Sequence, residues 1–450
     1  MPKRPKLALH WKILIGMAAG LLAGVLALAF NGEGPDAQYG TKLVVDWIKP
    51  FGTVFINALK VIAVPLIIAS LIKGVSDLKD LSSLSTMGGR TVVLYLVTTA
   101  AAVTTGLVIS KAVNPARFID EVTRDQLAAS EADNAGAKLK QAAETKARGP
   151  LQPLVDLVPD NLFSAASNNR RMLQVIVFVL FFGVGLLLVS EEKARPVKEF
   201  FDGLSEVILK LIDLIMLAAP VGVFALMAAL VAETPSWGVF ASLLAYSLCV
   251  VFGLAVMIFG FYPLLAVTFA GKSYGELFRG LAPAQLLAFS TSSSAATLPV
   301  TMERVEEHLG VDEEVASFVL PIGATVNMDG TSLYQAIAAV FIAEAYGVSI
   351  GVPELFTIAL TAMLASIGTA AVPSAGIVML VIVLGAIDAP EEGIALIFAV
   401  DRVLDMCRTI ANVTSDATVS MLVAKSVGKL HEPHVKEWDD DYPKAPADTE

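Results

Sequence analysis

The stretch ILIGMAAGLLAGVLALAF, residues 13–30, holds no charged side chain, and apolar runs of similar length recur along the chain. A bilayer core of about 30 Å takes about 20 residues of apolar helix to cross. Composition agrees with a chain built from such spans. Of 450 residues, 55% are hydrophobic and only 17% charged, against about 25% charged in soluble domains. The pattern reads as an all-α polytopic membrane protein. The net charge of -11 does not make this an acidic soluble protein, because much of the acid lies in loops and in the tail HEPHVKEWDDDYPKAPADTE, 431–450, which reads as a solvated end. Two cysteines, Cys249 and Cys407, both in apolar runs, exclude a disulfide framework. His431 and His434 form an H-x-x-H pair in a Pro- and acid-rich tail, a poor setting for a metal.

The N-terminus MPKRPKLALHWK is basic. A cleaved signal peptide is one reading. The apolar run after it is long for that and lacks a small-residue cleavage site, so a retained first helix with a cytoplasmic start is expected. Further spans are expected near Val45–Ile72, Thr91–Val113, Met172–Val189, 205–230 and 237–269. Lys60 in the second span fits a snorkelling or subunit-contact lysine better than a site residue. The segment 114–150 is charged and poor in apolar residues, which predicts an external loop rather than a second domain. Arg170 and Arg171 then fall on the outer side, against the positive-inside bias. SEEKARPVK, from Ser190 to Lys198, reads as a cytoplasmic linker.

Two later segments break the spanning pattern. In 281–302 an apolar run meets Ser290–Thr291–Ser292–Ser293–Ser294 and resumes, and 356–384 does the same around Ser366–Gly376. Each arm is too short to cross alone, which predicts two re-entrant helical hairpins. Between them a span, 314–346, is interrupted at Thr325–Thr331 by Asp329 and Gly330. The last apolar segment holds Asp401, Asp405, Arg408, Asn412 and Asp416, at spacings of four, three, four and four. On a 3.6-residue helix these share one face. Ionisable groups in a span cost roughly 2.5–3.5 kcal/mol each on insertion scales, so a charged stripe marks a substrate or ion path. Discontinuous segments at matching places in two halves point to a transporter's midplane site and to inverted repeats.

Free N–H groups at helix ends suit anions. Freed carbonyls with Asp329 and Asp416 suit a hard cation, since no thiolate or imidazole is at hand. Arg408 offers a planar fork for a carboxylate, and Asp405, one turn earlier, offers a counter-charge for an ammonium. The residues point to a sodium-coupled transporter of an acidic amino acid. An intramembrane hydrolase would need a His or Lys base in these spans, and none occurs. An ion channel using acidic rings would pass sustained current without substrate.

The motifs STSSSAATLPVT (290–301), NMDGTSLYQ (327–335), SIGTAAVPSAG (366–376) and DMCRTIANVTSD (405–416) resemble the glutamate transporter family of dicarboxylate/amino acid:cation symporters. The likeness covers nearly the whole chain except 114–150 and the tail. It implies a homotrimer in a plasma membrane, of the bacterial inner-membrane kind, with both termini cytoplasmic, eight spanning helices and two hairpins. A scaffold (1–90 and 114–235, the latter including the external loop) would hold a transport part (91–113 and 236–428) that moves like an elevator, with 429–450 as a disordered tail. The family's substrate contacts fall on Ser292, Ser294, Thr331, Gly376, Asp405, Arg408, Thr409 and Asn412. One sodium site falls on Gly323, Asn327, Asn412 and Asp416. A second falls on Thr325, Met328 and the carbonyls of Ser366, Ile367 and Thr369, and a third on Tyr95, Thr98, Thr99, Asn327 and Asp329. No cofactor beyond coupling ions and no nucleic-acid partner is expected.

The chain departs from its relatives in several places. Ser292 and Met406 stand where some relatives carry arginine, Gln335 where potassium counter-transporters carry glutamate, and Ala371 where a glycine is common. The resemblance therefore implies no potassium coupling. It leaves glutamate, aspartate and C4-dicarboxylates open as substrates, and sodium and protons open as coupling ions.

Overall fold

The computed structural model describes residues 9–31, 38–77, 85–121, 123–125, 158–167, 172–233, 237–367, 369, 371, 373 and 375–435. Most of the 114–150 loop, the Arg170–Arg171 pair and the tail beyond residue 435 lie outside them, as do some residues of the tip expected for the second hairpin. The described chain is helical. Its principal helices are α1 (Leu9–Ala29), α2 (Lys49–Asp77), α3 (Ser85–Val113), α4 (Met172–Leu188), α5 (Glu191–Leu217), α6 (Ala219–Glu233) and α7 (Trp237–Val256). They are followed by α8 (Tyr274–Thr291), α9 (Ser294–Glu303), α10 (Glu313–Val326), α11 (Asp329–Ala345), α12 (Val352–Ile367), α13 (Ala375–Ala386) and α14 (Ile394–Ser426).

Among the described residues, four helical runs are long and apolar enough to cross a membrane, or five if the bent pair α5–α6 counts as one. The remaining expected spans each miss that test for a visible reason. α4 is 17 residues long, α10 and α11 are broken apart, and α14 carries the polar stripe. Apolar side chains such as Leu22, Val61, Phe252 and Leu264 are exposed on the outer helix faces, as lipid-facing residues would be.

Several boundaries differ from the expectation. The segment read as a linker, from Ser190, is the start of α5. Glu191 and Glu192 lie in its first turn, where the positive end of the helix dipole favours them. The expected single span at 205–230 is a pair bent by 53°. Pro220 lacks the N–H that would continue the ladder to Met216. α2 is preceded by Tyr39–Leu43 and a π-helical turn, Val44–Ile48, without a gap, so the second span begins earlier than Val45.

The packing has two centres. α1 lies along α6, and α2 packs against α4, α5 and α6. Gly16, Gly20 and Gly24 form the α1 contact. A Cβ on Gly16 would sit 2.3 Å from the Pro220 carbonyl oxygen, and one on Gly20 2.4 Å from that of Phe224. Small residues four apart allow this backbone approach between membrane helices. The second centre is α11, in which every residue but Glu344 is buried. Around it stand α3, α7, α12, α13 and α14. The described start of the tail is tied down rather than loose. Leu430 pairs with Val311 as an isolated bridge, and the His431 N–H donates to the Gly310 carbonyl at 2.7 Å.

Candidate functional site

The break in the first expected hairpin is confined to Ser292 and Ser293. Ser292 ends α8 in the left-handed region (φ 53), which costs an L-residue roughly 1–2 kcal/mol. Ser293 caps α9, its hydroxyl accepting the Ala296 N–H at 3.1 Å. The same hydroxyl donates to the Ala371 carbonyl at 2.6 Å, joining the break after α8 to the stretch between α12 and α13. The break in the middle span is also narrower than expected. Only Asn327 and Met328 leave helical geometry. Asp329 and Gly330, read as the breakers, instead open α11. An acidic first residue suits a helix N-terminus, and the Gly330 N–H finds its partner in Asn412 Oδ1 at 2.8 Å.

Asp401, Asp405, Arg408, Asn412 and Asp416 are all buried on the face of α14 turned to these breaks. A small polar cavity of about 10 Å3 lies where the breaks meet the stripe. Ser292, Ser294, Thr331, Gly376, Asp405, Thr409 and Asn412 line it, with Met328, Thr369 and Ala371. Of the expected substrate residues, Arg408 alone stands behind the wall. Its Nη2 donates to Asp405 Oδ1 at 2.6 Å and lies 3.2 Å from Asp401 Oδ1. Its guanidinium carbon sits 3.8 Å over the Tyr334 ring, within cation–π range. Nε and Nη1 are buried with no hydrogen-bond partner. Nη1 reaches the cavity wall, since a Cβ on Gly376 would lie 3.1 Å from it. The Ser292 hydroxyl is likewise buried without a partner. Unpartnered buried donors are rare because each loses its hydration. Here they surround one cavity, which fits a site built for an anionic group.

The expected cation residues fall into three arrangements. Asn327 Nδ2 donates to Asp416 Oδ1 at 2.9 Å. Gly323 lies against that carboxylate: a Cβ there would come within 2.5 Å of Asp416 Oδ1 and 2.4 Å of the Tyr95 hydroxyl. Thr99 donates to Asp329 Oδ1 at 2.7 Å, and the hydroxyls of Thr98 and Thr99 lie 3.4 and 3.3 Å from Asn327 Oδ1. Tyr95 turns its hydroxyl to the Val319 carbonyl at 2.9 Å. The second set is more spread. The Thr325 hydroxyl donates to the Ile322 carbonyl, and Met328 and Thr369 line the polar cavity. Ser366 and Ile367 line an apolar cavity beside Tyr95 and Thr99. Donor sets made mainly of oxygens suit a hard monovalent or divalent cation rather than a transition metal.

Four contributing residues were not singled out as site residues by sequence reasoning. Tyr334 lies inside NMDGTSLYQ and supplies the ring under Arg408. Arg402 places Nη1 3.3 Å from Asp405 Oδ2. Ser415 and Tyr262 donate to Asp329 Oδ2 at 2.6 and 3.0 Å. Ser415 and Tyr334 lie within recognised motifs and were open to discovery there. Tyr262 lies outside all of them.

Broken helices around a polar cavity, set among apolar helices, mark a multi-pass membrane protein, and the family it matches is one of transporters, not enzymes. The family model of the sodium:dicarboxylate symporter family matches residues 9–426, and the chain belongs to that family. It is 32% identical over 435 residues (96% of this chain, 98% of the relative) to the proton/sodium-glutamate symport protein of Bacillus caldotenax. It is 33% identical over 426 residues (94% of each) to the proton/glutamate-aspartate symporter of Escherichia coli. Excitatory amino acid transporter 3 of Homo sapiens is 36% identical over 411 residues, covering 83% of this chain and 78% of that protein.

Proposed function

We propose that this chain is a secondary active symporter that couples inward sodium flux to uptake of an acidic amino acid, glutamate or aspartate. The observation that carries the reading is the unpartnered Nη1 of Arg408, against Gly376 in the wall of a cavity that also includes Asp405. A side-chain carboxylate would engage the arginine, and an ammonium would engage Asp405. The Ser292 and Ser294 hydroxyls and the first N–H groups of α9 would meet the second carboxylate, while Thr331, Gly376, Thr409 and Asn412 shape the cavity. Sodium, as cargo, would use the oxygens gathered around Asp416 and Asp329, with Thr325, Met328, Ser366, Ile367 and Thr369 as a further set.

The contact between Ser293 and Ala371 supports a reading in which the two elements part to admit substrate. In this reading α1, α2 and α4–α6 form a scaffold, and α3 with α7–α14 the moving part. The assembly is a homotrimer in a bacterial plasma membrane with cytoplasmic termini. Proton coupling is the second reading, and the printed name of the Escherichia coli relative favours it. A C4-dicarboxylate as sole substrate fits less well, because Asp405 would repel it. Uptake of labelled aspartate, glutamate and succinate into proteoliposomes, with sodium, proton and potassium gradients imposed singly, tests these readings. Uptake of an acidic amino acid on the sodium gradient alone is expected. Uptake that runs on the proton gradient and ignores sodium would replace the proposal.

A further inference from the structure

We infer that Tyr262 and Ser415 are positioning residues for Asp329, holding one carboxylate oxygen so that the other faces the cation cage. The inference rests on the sodium-coupled reading above. A carboxylate oxygen has two lone pairs. Both lone pairs of Asp329 Oδ2 have a donor, the Tyr262 hydroxyl at 3.0 Å and the Ser415 hydroxyl at 2.6 Å. Oδ1 accepts from Thr99 at 2.7 Å and is turned to the side of Thr98, Thr99 and Asn327. The carboxylate is thus turned and held before a cation arrives, and no rotation is needed to present Oδ1.

Ser415 does the same for Asn327. Its oxygen accepts the Asn327 Nδ2–H at 3.0 Å, and the other Nδ2 hydrogen goes to Asp416 at 2.9 Å. With both N–H groups so directed, Asn327 Oδ1 points back to Thr98 and Thr99. One hydroxyl therefore orients an acceptor from each side of the cage.

Tyr262 reaches this place because of the helix it sits on. It opens a four-residue α-turn, Tyr262–Leu265, between two π-helical turns, Met257–Phe261 and Ala266–Ala270. Each π turn carries an extra residue, which advances the following side chains by about 100° around the axis. Pro263, next in sequence, lacks an N–H and loosens the ladder there. The result is a fully buried tyrosine aimed at Asp329 from a segment outside every recognised motif. Outer partners of this kind hold a ligand's orientation and tune ion affinity.

The test uses the purified full chain in detergent, without acidic substrate. Thermal stability is followed as sodium replaces choline at constant ionic strength, and sodium binding is measured by isothermal titration. Tyr262→Phe and Ser415→Ala each remove one donor and little volume. Each is expected to raise the half-saturating sodium concentration about tenfold, with aspartate affinity at saturating sodium unchanged. Because both remove a donor from Asp329 Oδ2, their effects should couple, and the double variant should depart from the product of the two. Ser242→Ala removes a buried, unpartnered hydroxyl from α7 and should leave the sodium response as in the parent. Variants that bind sodium as well as the parent, or more tightly, overturn the positioning role alone. A parent with no sodium response overturns it together with the sodium-coupled reading.

Discussion

Replacing Arg408 by alanine removes the group on which the proposed recognition of substrate charge is built. Its Nη1 has no partner and reaches the cavity wall at Gly376, where an incoming carboxylate would meet it. A hydrogen bond to a charged group is worth about 1.5–3 kcal/mol. At about 1.4 kcal/mol per decade, aspartate affinity should fall about 10- to 100-fold. The same change leaves Asp401 and Asp405 short of a cation, and breaking a buried pair in this way costs about 3–5 kcal/mol of stability. The two effects separate in the double variant Arg408→Ala/Asp401→Asn. It removes one positive and one negative charge together, so folding should recover while aspartate binding does not. Isothermal titration at saturating sodium, with aspartate and with serine as a neutral comparison, reads the first effect. Thermal melting reads the second. Serine binding should survive in both variants. Aspartate affinity equal to the parent's in a folded Arg408→Ala variant would refute the assignment.

Asp405→Ser should move preference from acidic amino acids towards succinate, because the cavity loses the counter-charge for an ammonium and its repulsion of a plain diacid; competition uptake with succinate and aspartate checks this. Gly323→Ala brings a Cβ within 2.5 Å of Asp416 Oδ1 and 2.4 Å of the Tyr95 hydroxyl. It should raise the half-saturating sodium for uptake by about tenfold, and an unchanged sodium curve would mean that Gly323 does not border a cation site. Asp416→Asn keeps the size of the side chain and removes its charge. Aspartate affinity, measured by titration across sodium concentrations, should then lose most of a dependence worth about 5–150-fold; a proton carrier at Asp416 would instead leave the sodium dependence intact and abolish the response to pH.

Much of the architecture was open to sequence reasoning because a membrane span satisfies its own backbone and declares itself by length. The five-residue stripe was legible for the same reason, since a long helix keeps its period from Asp401 to Asp416. The breaks were located but drawn too wide. Gly330 and Asp329 have poor intrinsic helix preference, yet the dipole and the Asn412 contact hold them in α11. The charged start of α5 was read as a linker because its polarity hid a helix of high amphipathicity. Other features depend on contacts that no local pattern encodes. The stacking of Arg408 on Tyr334 requires α11 and α14 to lie side by side. The approach of Tyr262 to Asp329 follows a π turn, Met257–Phe261, and a π turn leaves no clear mark in composition. Ser415 is visible as a residue, but a serine in a membrane helix most often reads as a packing contact.

The two-residue break at Asn327–Met328 gives the proposed coupling a physical basis. Along 327–331 the side chains divide between two regions. Asn327 and Asp329 join Thr98, Thr99 and Ser415, whereas Met328 and Thr331 line the polar cavity. The backbone that carries both sets is one short stretch, so a cation that fixes Asn327 and Asp329 also fixes the cavity wall. Asn412 fastens the arrangement from α14. Its Oδ1 holds the Gly330 N–H at 2.8 Å, and its Nδ2 lies 3.5 Å from Met328 Sδ. A substrate that enters an ordered wall has less freedom left to remove. The linkage is reciprocal, and bound substrate must tighten the cation by the same factor. A cation that bound without engaging Asn327, Asp329 or Asp416 would have no such path to the cavity. The coupling therefore belongs to the break itself rather than to either site alone.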